Sequence, residues 1–397
     1  MSLRVLVAGG GIGGLAAALA CSRAGTRVTL FERAQAFGEV GAGIQIGPNV
    51  TRILARWGLS DALARVAAFP THLQARSAVS GDTLGVLPLG DSAVARYGAP
   101  YATIHRADLH SLLLSAVQAQ TGTRLHLGSE LTQFSQSQAQ VRVQAGGGEW
   151  HEADALIGAD GLWSAVRQWL LDDGMPRVTG HLAFRAMVPQ ATLPQHLRTG
   201  HVTVWMGRRL HLVQYPVRQG QWMNVVGIVH ASLPTAPDGT ALRLDGWDHG
   251  ADGVSLRASL AGAASPLQDL VRAIDHWRMW VLCDRLPMAG PRQHARGRVA
   301  LLGDAAHPMR PYLAQGAGMA IEDADELGGL FTGADIDVGA VLRLYAHRRW
   351  RRNRRVQARA LRNGTIFHAD GLLQVGRDLA LRLLGPRLMD VPWLYSR

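Results

Sequence analysis

The first thirty-two residues carry groups suited to holding a phosphate and a sugar. Arg4-Val5-Leu6-Val7-Ala8 is a short apolar run that leads directly into Gly9-Gly10-Gly11-Ile12-Gly13-Gly14 and then into Leu15-Ala16-Ala17-Ala18-Leu19-Ala20. Strand, glycine turn and helix follow in that order, and Gly9, Gly11 and Gly14 have the spacing G-x-G-x-x-G. The first glycine makes the turn, the second lets backbone approach a pyrophosphate, and the third lets helix pack on strand. The helix start then offers free N–H groups and a positive dipole end to the phosphates. A second strand, Arg27–Phe31, ends at Glu32, 18 residues beyond Gly14, where a carboxylate suits both hydroxyls of an adenosine ribose. The competing reading of Glu32 is an ordinary strand-end carboxylate.

Two later segments have the same build. Ala155-Leu156-Ile157-Gly158 is an apolar strand that meets Ala159-Asp160-Gly161 and then a helix through Arg167. Arg298–Leu302 is another, ending in Gly303-Asp304-Ala305-Ala306-His307-Pro308, and the loop after it opens a long helix at Gly316-Ala317-Gly318. Three strand-to-loop junctions at the ends of one parallel sheet converge on a single elongated ligand. Asp160 also suits a helix cap, and His307, next to Pro308, reads either as an acid–base group or as a structural loop residue.

Between the second and third segments the texture becomes β-rich: His181–Val188, Val202–Met206, Arg209–Val217, Trp222–Val229 and Trp277–Cys283 alternate or run apolar with turn residues between them. Such an inserted sheet would cover a substrate. On Arg209–Pro216 the period of two puts His211, Val213 and Tyr215 on one face. A histidine and a tyrosine placed so could bind a phenol and its carboxylate or take the phenolic proton; the alternative is a buried polar pair satisfied by neighbouring backbone.

Taken together, the three segments resemble the single-component FAD-dependent aromatic hydroxylases of the para-hydroxybenzoate hydroxylase fold, and within them the salicylate, 3-hydroxybenzoate and 6-hydroxynicotinate monooxygenases. The resemblance covers roughly residues 1–360 and implies an α/β fold: a Rossmann-like FAD-binding domain, an inserted mixed β-sheet substrate domain and a C-terminal helical segment. The expected division is 1–70, 98–173 and 290–335 for the FAD-binding domain, 71–97 and 174–289 for the substrate domain, and 336–397 for the helical region. The resemblance gives Gly9, Gly11, Gly14, Glu32 and its neighbour Arg33 to the ADP half of FAD. It gives Arg106 to the pyrophosphate and ribityl chain, Asp160 to the pyrophosphates, Asp304 to the ribityl hydroxyls, and Gly316, Ala317 and Gly318 to the flavin pyrimidine edge. His211 and Tyr215 then become catalytic and substrate-binding residues, Pro308 lies where the family keeps the oxygen adduct, and Gln45 and Pro311 touch substrate.

The implied reaction is NADH- or NADPH-driven reduction of FAD, addition of O₂ at flavin C4a, and transfer of the distal hydroperoxide oxygen to a phenolic aromatic acid of the salicylate or 3-hydroxybenzoate type. Two departures bear on the substrate. Gln45 stands where the 6-hydroxynicotinate enzyme has a histidine, and Pro311 where a 3-hydroxybenzoate 6-hydroxylase has a glutamine. A 6-hydroxynicotinate-type monooxygenase and an FAD dehydrogenase or oxidase without oxygen insertion stay open.

Composition sets further bounds. The 397 residues contain no lysine, so all 41 basic residues are arginine and amine chemistry is absent: no Schiff base, no P-loop lysine, no lysine general base. Halogenases of this fold need such a lysine, and Trp277-Arg278-Met279-Trp280 lacks their tryptophan spacing. Cys21 and Cys283, far apart, argue against a disulfide scaffold, a redox pair or a cysteine metal site, and suit a cytoplasmic protein; no metal is expected. The uncharged stretch Val5–Ser22 is read as fold rather than as an export signal, because five glycines within Gly9–Gly14 weaken an apolar helix. The net charge of +11 is local, since eight arginines fall between Arg348 and Arg362. The favoured reading is a solvated helix face with Trp350 and Val356 turned inward; the other is a module docking on nucleic acid or membrane. The expected partners are therefore a small aromatic acid and O₂, with no nucleic acid and no membrane, in a monomer or homodimer. The tail around Leu379, Leu381, Leu383 and Leu384 suits packing or a dimer contact.

Overall fold

A computed structural model describes residues 2–38, 41–231, 244, 249–251, 253–333 and 336–396. The chain opens with β1 (Arg4–Ala8), α1 (Ile12–Arg23) and β2 (Arg27–Phe31), then β3 (Gly43–Ile46), α2 (Pro48–Arg56), α3 (Ser60–Val66), β4 (His72–Ser77), β5 (Thr83–Pro88), α4 (Asp91–Tyr97) and β6 (Ala102–His105). After α5 (Arg106–Gln118) and β7 (Thr123–His126) come β8 (Leu131–Gln136), β9 (Val141–Ala145), β10 (Trp150–Ala153), β11 (Ala155–Gly158) and α6 (Ala165–Leu171). The β-rich stretch is β12 (Arg177–Pro189), β13 (Val202–Gly207), β14 (Leu210–Val217), β15 (Trp222–His230), β16 (His249–Ala251), α7 (Val254–Ser259), α8 (Ser265–Arg272) and β17 (Trp277–Asp284). The chain continues through β18 (Ala295–Arg296), β19 (Val299–Leu301), α9 (Gly316–Leu330), α10 (Val338–Phe367), α11 (Gly371–Met389) and α12 (Pro392–Tyr395).

These elements form two compact units interleaved along the sequence, the first from Met1–Glu39, Leu109–Arg177 and Asp284–Ala360, the second from Val40–Asp108, Val178–Cys283 and Leu361–Arg397. The first holds a six-stranded sheet in the order β18-β19-β11-β1-β2-β7 and a three-stranded sheet β10-β9-β8. Strand β1 pairs in parallel with both β2 and β11, and β11 in parallel with β19, so the three glycine-bearing junctions leave the same edge of one sheet. The apolar runs read as doubly buried strands are just that: Val5, Val7, Leu156, Ile157, Val299 and Leu301 are almost fully covered.

Helices α9 and α10 are joined by buried charge. Asp323, fully buried on α9, accepts from Arg349 Nε at 2.6 Å and from Asn353 Nδ2 at 2.9 Å, and bonds His307 Nε2 at 2.5 Å. Arg352 grips Glu322 through two nitrogens at 2.5 and 2.7 Å, and Arg348 reaches Glu326 at 2.8 Å. Three of the eight clustered arginines are thus paired with α9 acids. Val356 is buried and Trp350 is half-buried, donating from its indole N–H to Met288 O. The expected solvated face therefore holds only in part: Arg351, Arg354 and Arg355 are exposed, whereas Arg349 is buried against carboxylates that lie more than twenty residues away in sequence.

The second unit is built on an eight-stranded sheet, β16-β17-β12-β15-β14-β13-β4-β5, with a small pair β3-β6. One face of the large sheet is apolar: Leu182, Phe184, Leu212, Met223 and Val225 pack against Leu256, Leu267 and Leu270 of α7 and α8. The alternate residues of the same strands are left for the other face. Among the described residues no helix is long and apolar enough to cross a membrane, and no His, Cys, Asp and Glu cluster could hold a metal.

Burial alone would push the Asp323 carboxyl up, but His307 and Arg349 outweigh it and hold it well below the ordinary carboxylate range. Its stabilising contribution is therefore present above about pH 4 and is lost as pH falls toward the folded value. We expect Asp323→Asn to cost about 3 kcal/mol in denaturant unfolding at neutral pH, because it removes one of the two buried carboxylates that neutralise Arg349 and leaves only Glu322. The penalty should shrink below about pH 4, where the carboxyl of the unfolded wild-type chain takes up a proton that the folded one still refuses.

Candidate flavin and aromatic-acid sites

In the first unit, backbone crowding explains the glycines. A Cβ on Gly14 would lie 1.8 Å from Gly9 O, and one on Gly9, whose φ is +97°, would lie 2.5 Å from Ala159 O. Helix and strand, and the ends of β1 and β11, meet closer than any side chain permits. Gly11 is the N-cap of α1, which has no side-chain cap and no acid in its first turn, so its amides are available to an anion. Glu32 accepts from Gly10 N at 2.6 Å and from Ala34 N at 2.9 Å, fixed beside the glycine loop. Arg33 is exposed just after it. His110, which the sequence reading passed over, binds Gly10 O through Nε2 at 2.8 Å and supports the loop from behind.

The second and third junctions are tied together by Arg167. Its Nη1 donates to Ala305 O and Ala306 O, both at 2.9 Å, while Nε and Nη2 bind Asp173. This buried arginine closes the segment already recognised around Asp160, yet only its partners, far away in sequence, reveal what it does. Asp160 accepts from Ser164 Oγ and from Val166 N at 3.1 Å, so it caps α6; burial raises its pKa against those hydrogen bonds. Asp304 is half-buried, and a Cβ on Gly316 would stand 3.9 Å from its Oδ1, which places the carboxylate at the start of α9 with Gly316, Ala317 and Gly318. Pro308 is buried, with its carbonyl accepting from Gln357 Nε2 at 2.8 Å, and Pro311 is half-buried further along the loop. His307 is buried in this loop and bound to Asp323 through Nε2.

These groups fit the ADP-bearing part of a dinucleotide cofactor. Glycine cradles that exclude any Cβ, an uncapped helix start and a ribose-height carboxylate meet at one edge of one sheet.

The second unit holds His211 and Tyr215 and also Gln45 and Arg106, which fall within the stretches expected in the FAD-binding domain. His211 is buried, and its Nδ1 lies 2.8 Å from Nε2 of His368, which follows the end of α10 and was not seen as a partner in the sequence. Burial first, and then His368 and His181, drive its pKa well below the ordinary histidine value, so it is neutral. Tyr215 is also buried, its hydroxyl donating to Gly43 O at 2.6 Å, and burial pushes its pKa up. Its own proton is therefore held by backbone. Gln45 Oε1 accepts from Tyr101 O–H at 2.6 Å. Gly43 N donates to Asn224 Oδ1 at 2.6 Å, and a Cβ on Gly43 would lie 2.7 Å from both Asn224 and Tyr215, so β3 reaches the large sheet only because that residue is glycine. Arg106 opens α5, its N–H donating to Ala42 O at 2.8 Å.

The chain matches the FAD binding domain family model over residues 2–232 and 271–360. It is 36% identical to the 3-hydroxybenzoate 6-hydroxylase of Polaromonas naphthalenivorans (strain CJ2) over 99% of this chain and 96% of that one. It is 37% identical to the 6-hydroxynicotinate 3-monooxygenase of Bordetella bronchiseptica over 89% of each. Among solved structures, a salicylate hydroxylase substrate complex superposes with a TM-score of 0.81 at 26% identity, covering 99% of this chain and 95% of that one.

Glu32→Gln keeps the shape of the side chain but removes its charge. We expect it to weaken FAD binding roughly tenfold or more in an equilibrium titration, with the circular dichroism spectrum unchanged.

Proposed function

Because the chain belongs to the FAD binding domain family, we propose that it is an NAD(P)H- and O₂-dependent monooxygenase hydroxylating a small phenolic aromatic acid. Likeness to an enzyme named for 3-hydroxybenzoate along nearly the whole chain supports the reaction class. The observation that carries the substrate side is the face of the eight-stranded sheet that buries His211 and Tyr215, opposite the face packed with apolar side chains.

When bound, FAD supplies the redox chemistry, taking electrons from NADH or NADPH and activating O₂. The chain's own residues bind, orient and move a proton. Gly9, Gly11 and Gly14 with the start of α1 hold the pyrophosphate and Glu32 the ribose, while Asp160, Asp304, Arg106 and the start of α9 hold the rest of the cofactor. Arg33 adds positive charge beside the ADP half. His211 accepts the phenolic proton, because a phenolate ring donates electrons better than a phenol; its Nδ1 contact with His368 fixes the imidazole orientation. The Tyr215 oxygen, with its proton turned to Gly43, presents lone pairs to a substrate hydroxyl. Gln45 and Pro311 border the aromatic ring, and Pro308 keeps water from the reacting oxygen. A 6-hydroxynicotinate-like substrate is the second reading, resting on the similarity to the Bordetella enzyme.

The two cysteines are free, Cys21 being buried, which suits a reducing cytoplasm. A second copy of the chain is the partner we assign to α11. One side of this helix packs on the sheet through Leu381 and Met389. The other presents Leu372, Val375, Leu379 and Leu383 at 91, 64, 56 and 73% exposure, with Leu373 and Leu384 beside them. The spacing is that of a helix seam, and two copies closing on it would form the apolar centre of an interface of roughly 800 Å² per partner, the size a stable dimer needs. Replacing Leu379 and Leu383 together by Arg should halve the mass seen by light scattering while the protein stays yellow; an unchanged mass, or a monomeric wild type, would refute the dimer.

NADH or NADPH oxidation should accelerate on adding salicylate, 3-hydroxybenzoate or 6-hydroxynicotinate, and one of them should be favoured. His211→Phe should lower kcat/KM for that substrate on the order of 100-fold or more with FAD retained. Oxidation indifferent to every member of the panel would count against the reading, and hydrogen peroxide formed in step with NADH consumed would favour an oxidase.

A further inference from the structure

Strand register places a charged group on the His211–Tyr215 face. In β14, β15 and β12 the facing triplets are His211, Ile228 and Ala183; then Val213, Val226 and Arg185; then Tyr215, Asn224 and Met187. Directly opposed residues in antiparallel strands point to the same side of the sheet. Arg185 therefore lies in the row between His211 and Tyr215, on the face turned away from α7 and α8, and its neighbours Phe184 and Ala186 go into the opposite core.

Two features of Arg185 are unusual for a structural arginine. Its guanidinium carbon sits 3.7 Å from the centroid of the Trp280 ring, stacked and held flat. Its Nε is shut off from solvent with no hydrogen-bond partner among the described residues, and no carboxylate among them pairs with it. Burial lowers its pKa to about 9, with Tyr215 opposing the shift and Arg106 adding to it. One row along and one strand over, Asn224 is fully buried; its Oδ1 is used by Gly43 N, which identifies Nδ2 as the outward donor, and that Nδ2 also lacks a partner. Buried donors are almost always satisfied, and a desolvated cation without a counter-ion is costly. Two orphan donors on one face, one of them cationic and preoriented by an aromatic ring, define a site for an anion with planar acceptor geometry.

We propose that Arg185, assisted by Asn224 Nδ2, binds the carboxylate of the aromatic acid and thereby selects acids over neutral phenols. This inference rests on the substrate reading given above. It accounts for Tyr215 and His211 flanking Arg185: a carboxylate held in the middle row leaves the ring hydroxyl within the reach of either neighbour.

The test uses the FAD-loaded enzyme and titrates the flavin absorbance with salicylate, 3-hydroxybenzoate, salicylamide and 3-hydroxybenzamide. Wild type should bind the preferred acid at least tenfold more tightly than its amide. Arg185→Met should weaken the acid on the order of 100-fold, shift the amide by less than about threefold, and leave FAD in place. Arg185→Lys should fall between, since an ammonium keeps the charge and loses the fork. Without ligand, the melting temperature of Arg185→Met should equal or exceed that of wild type, because a half-buried cation with no carboxylate partner among the described residues has been removed; a packing role would lower it. Equal losses for acid and amide, an unchanged acid affinity, or loss of FAD, which would make the cofactor the anion served, would each overturn the proposal. If no aromatic acid perturbs the wild-type flavin, the substrate reading itself fails, a result distinct from these.

Discussion

Gly14 cannot carry a side chain, because a Cβ there would sit 1.8 Å from the Gly9 carbonyl oxygen, and much else in the first unit depends on that contact. It brings the start of α1 down onto the end of β1 and opens its first amides beside the turn. Gly9, pressed against Ala159, puts the Asp160 junction next to it, and Arg167 binds the carbonyls of Ala305 and Ala306 to complete the edge. A larger residue at either glycine would separate backbones that must share one elongated phosphate-bearing ligand. The buried ion pairs of Asp323 and Arg349 then fix α10 against α9, whose first turn supplies the last set of amides.

The second unit uses a different constraint, the accounting of buried polar groups. An eight-stranded sheet that gives one face to apolar packing has a second face on which polar side chains must find partners. Some do: Tyr215 on Gly43, and His211 on His368. Arg185 Nε and Asn224 Nδ2 do not; Asn224 lies in the row of Tyr215, and Arg185 in the row between Tyr215 and His211. The satisfied groups give the face its shape, and the unsatisfied ones indicate the chemistry of its ligand.

Local signals were legible where chemistry is local. The glycine turn, the parallel strands β1, β2, β11 and β19, and the shared face of His211 and Tyr215 all follow from spacing and period. The resemblance to aromatic hydroxylases came from three ordered segments, each readable alone. What sequence did not disclose are long-range pairings: Arg167 to Ala305, Arg349 to Asp323, His211 to His368, and Arg185 beneath Trp280. The arginine cluster shows the difference well. Its charge was visible, but the acids that neutralise part of it lie on α9, so a basic run suggestive of a polyanion partner is partly an internal brace. Likewise Gly43 reads as one glycine among 46 until its crowding by Asn224 and Tyr215 is seen.

The central claim is that this chain inserts one atom of molecular oxygen into a phenolic acid. The most direct measurement is the mass of the aromatic product formed with NADH or NADPH under oxygen-18 gas in ordinary water. The account predicts a hydroxylated acid carrying a single heavy oxygen, formed only when substrate, reductant and O₂ are all present. Unlabelled product, or complete consumption of reductant with the acid recovered unchanged, would contradict it.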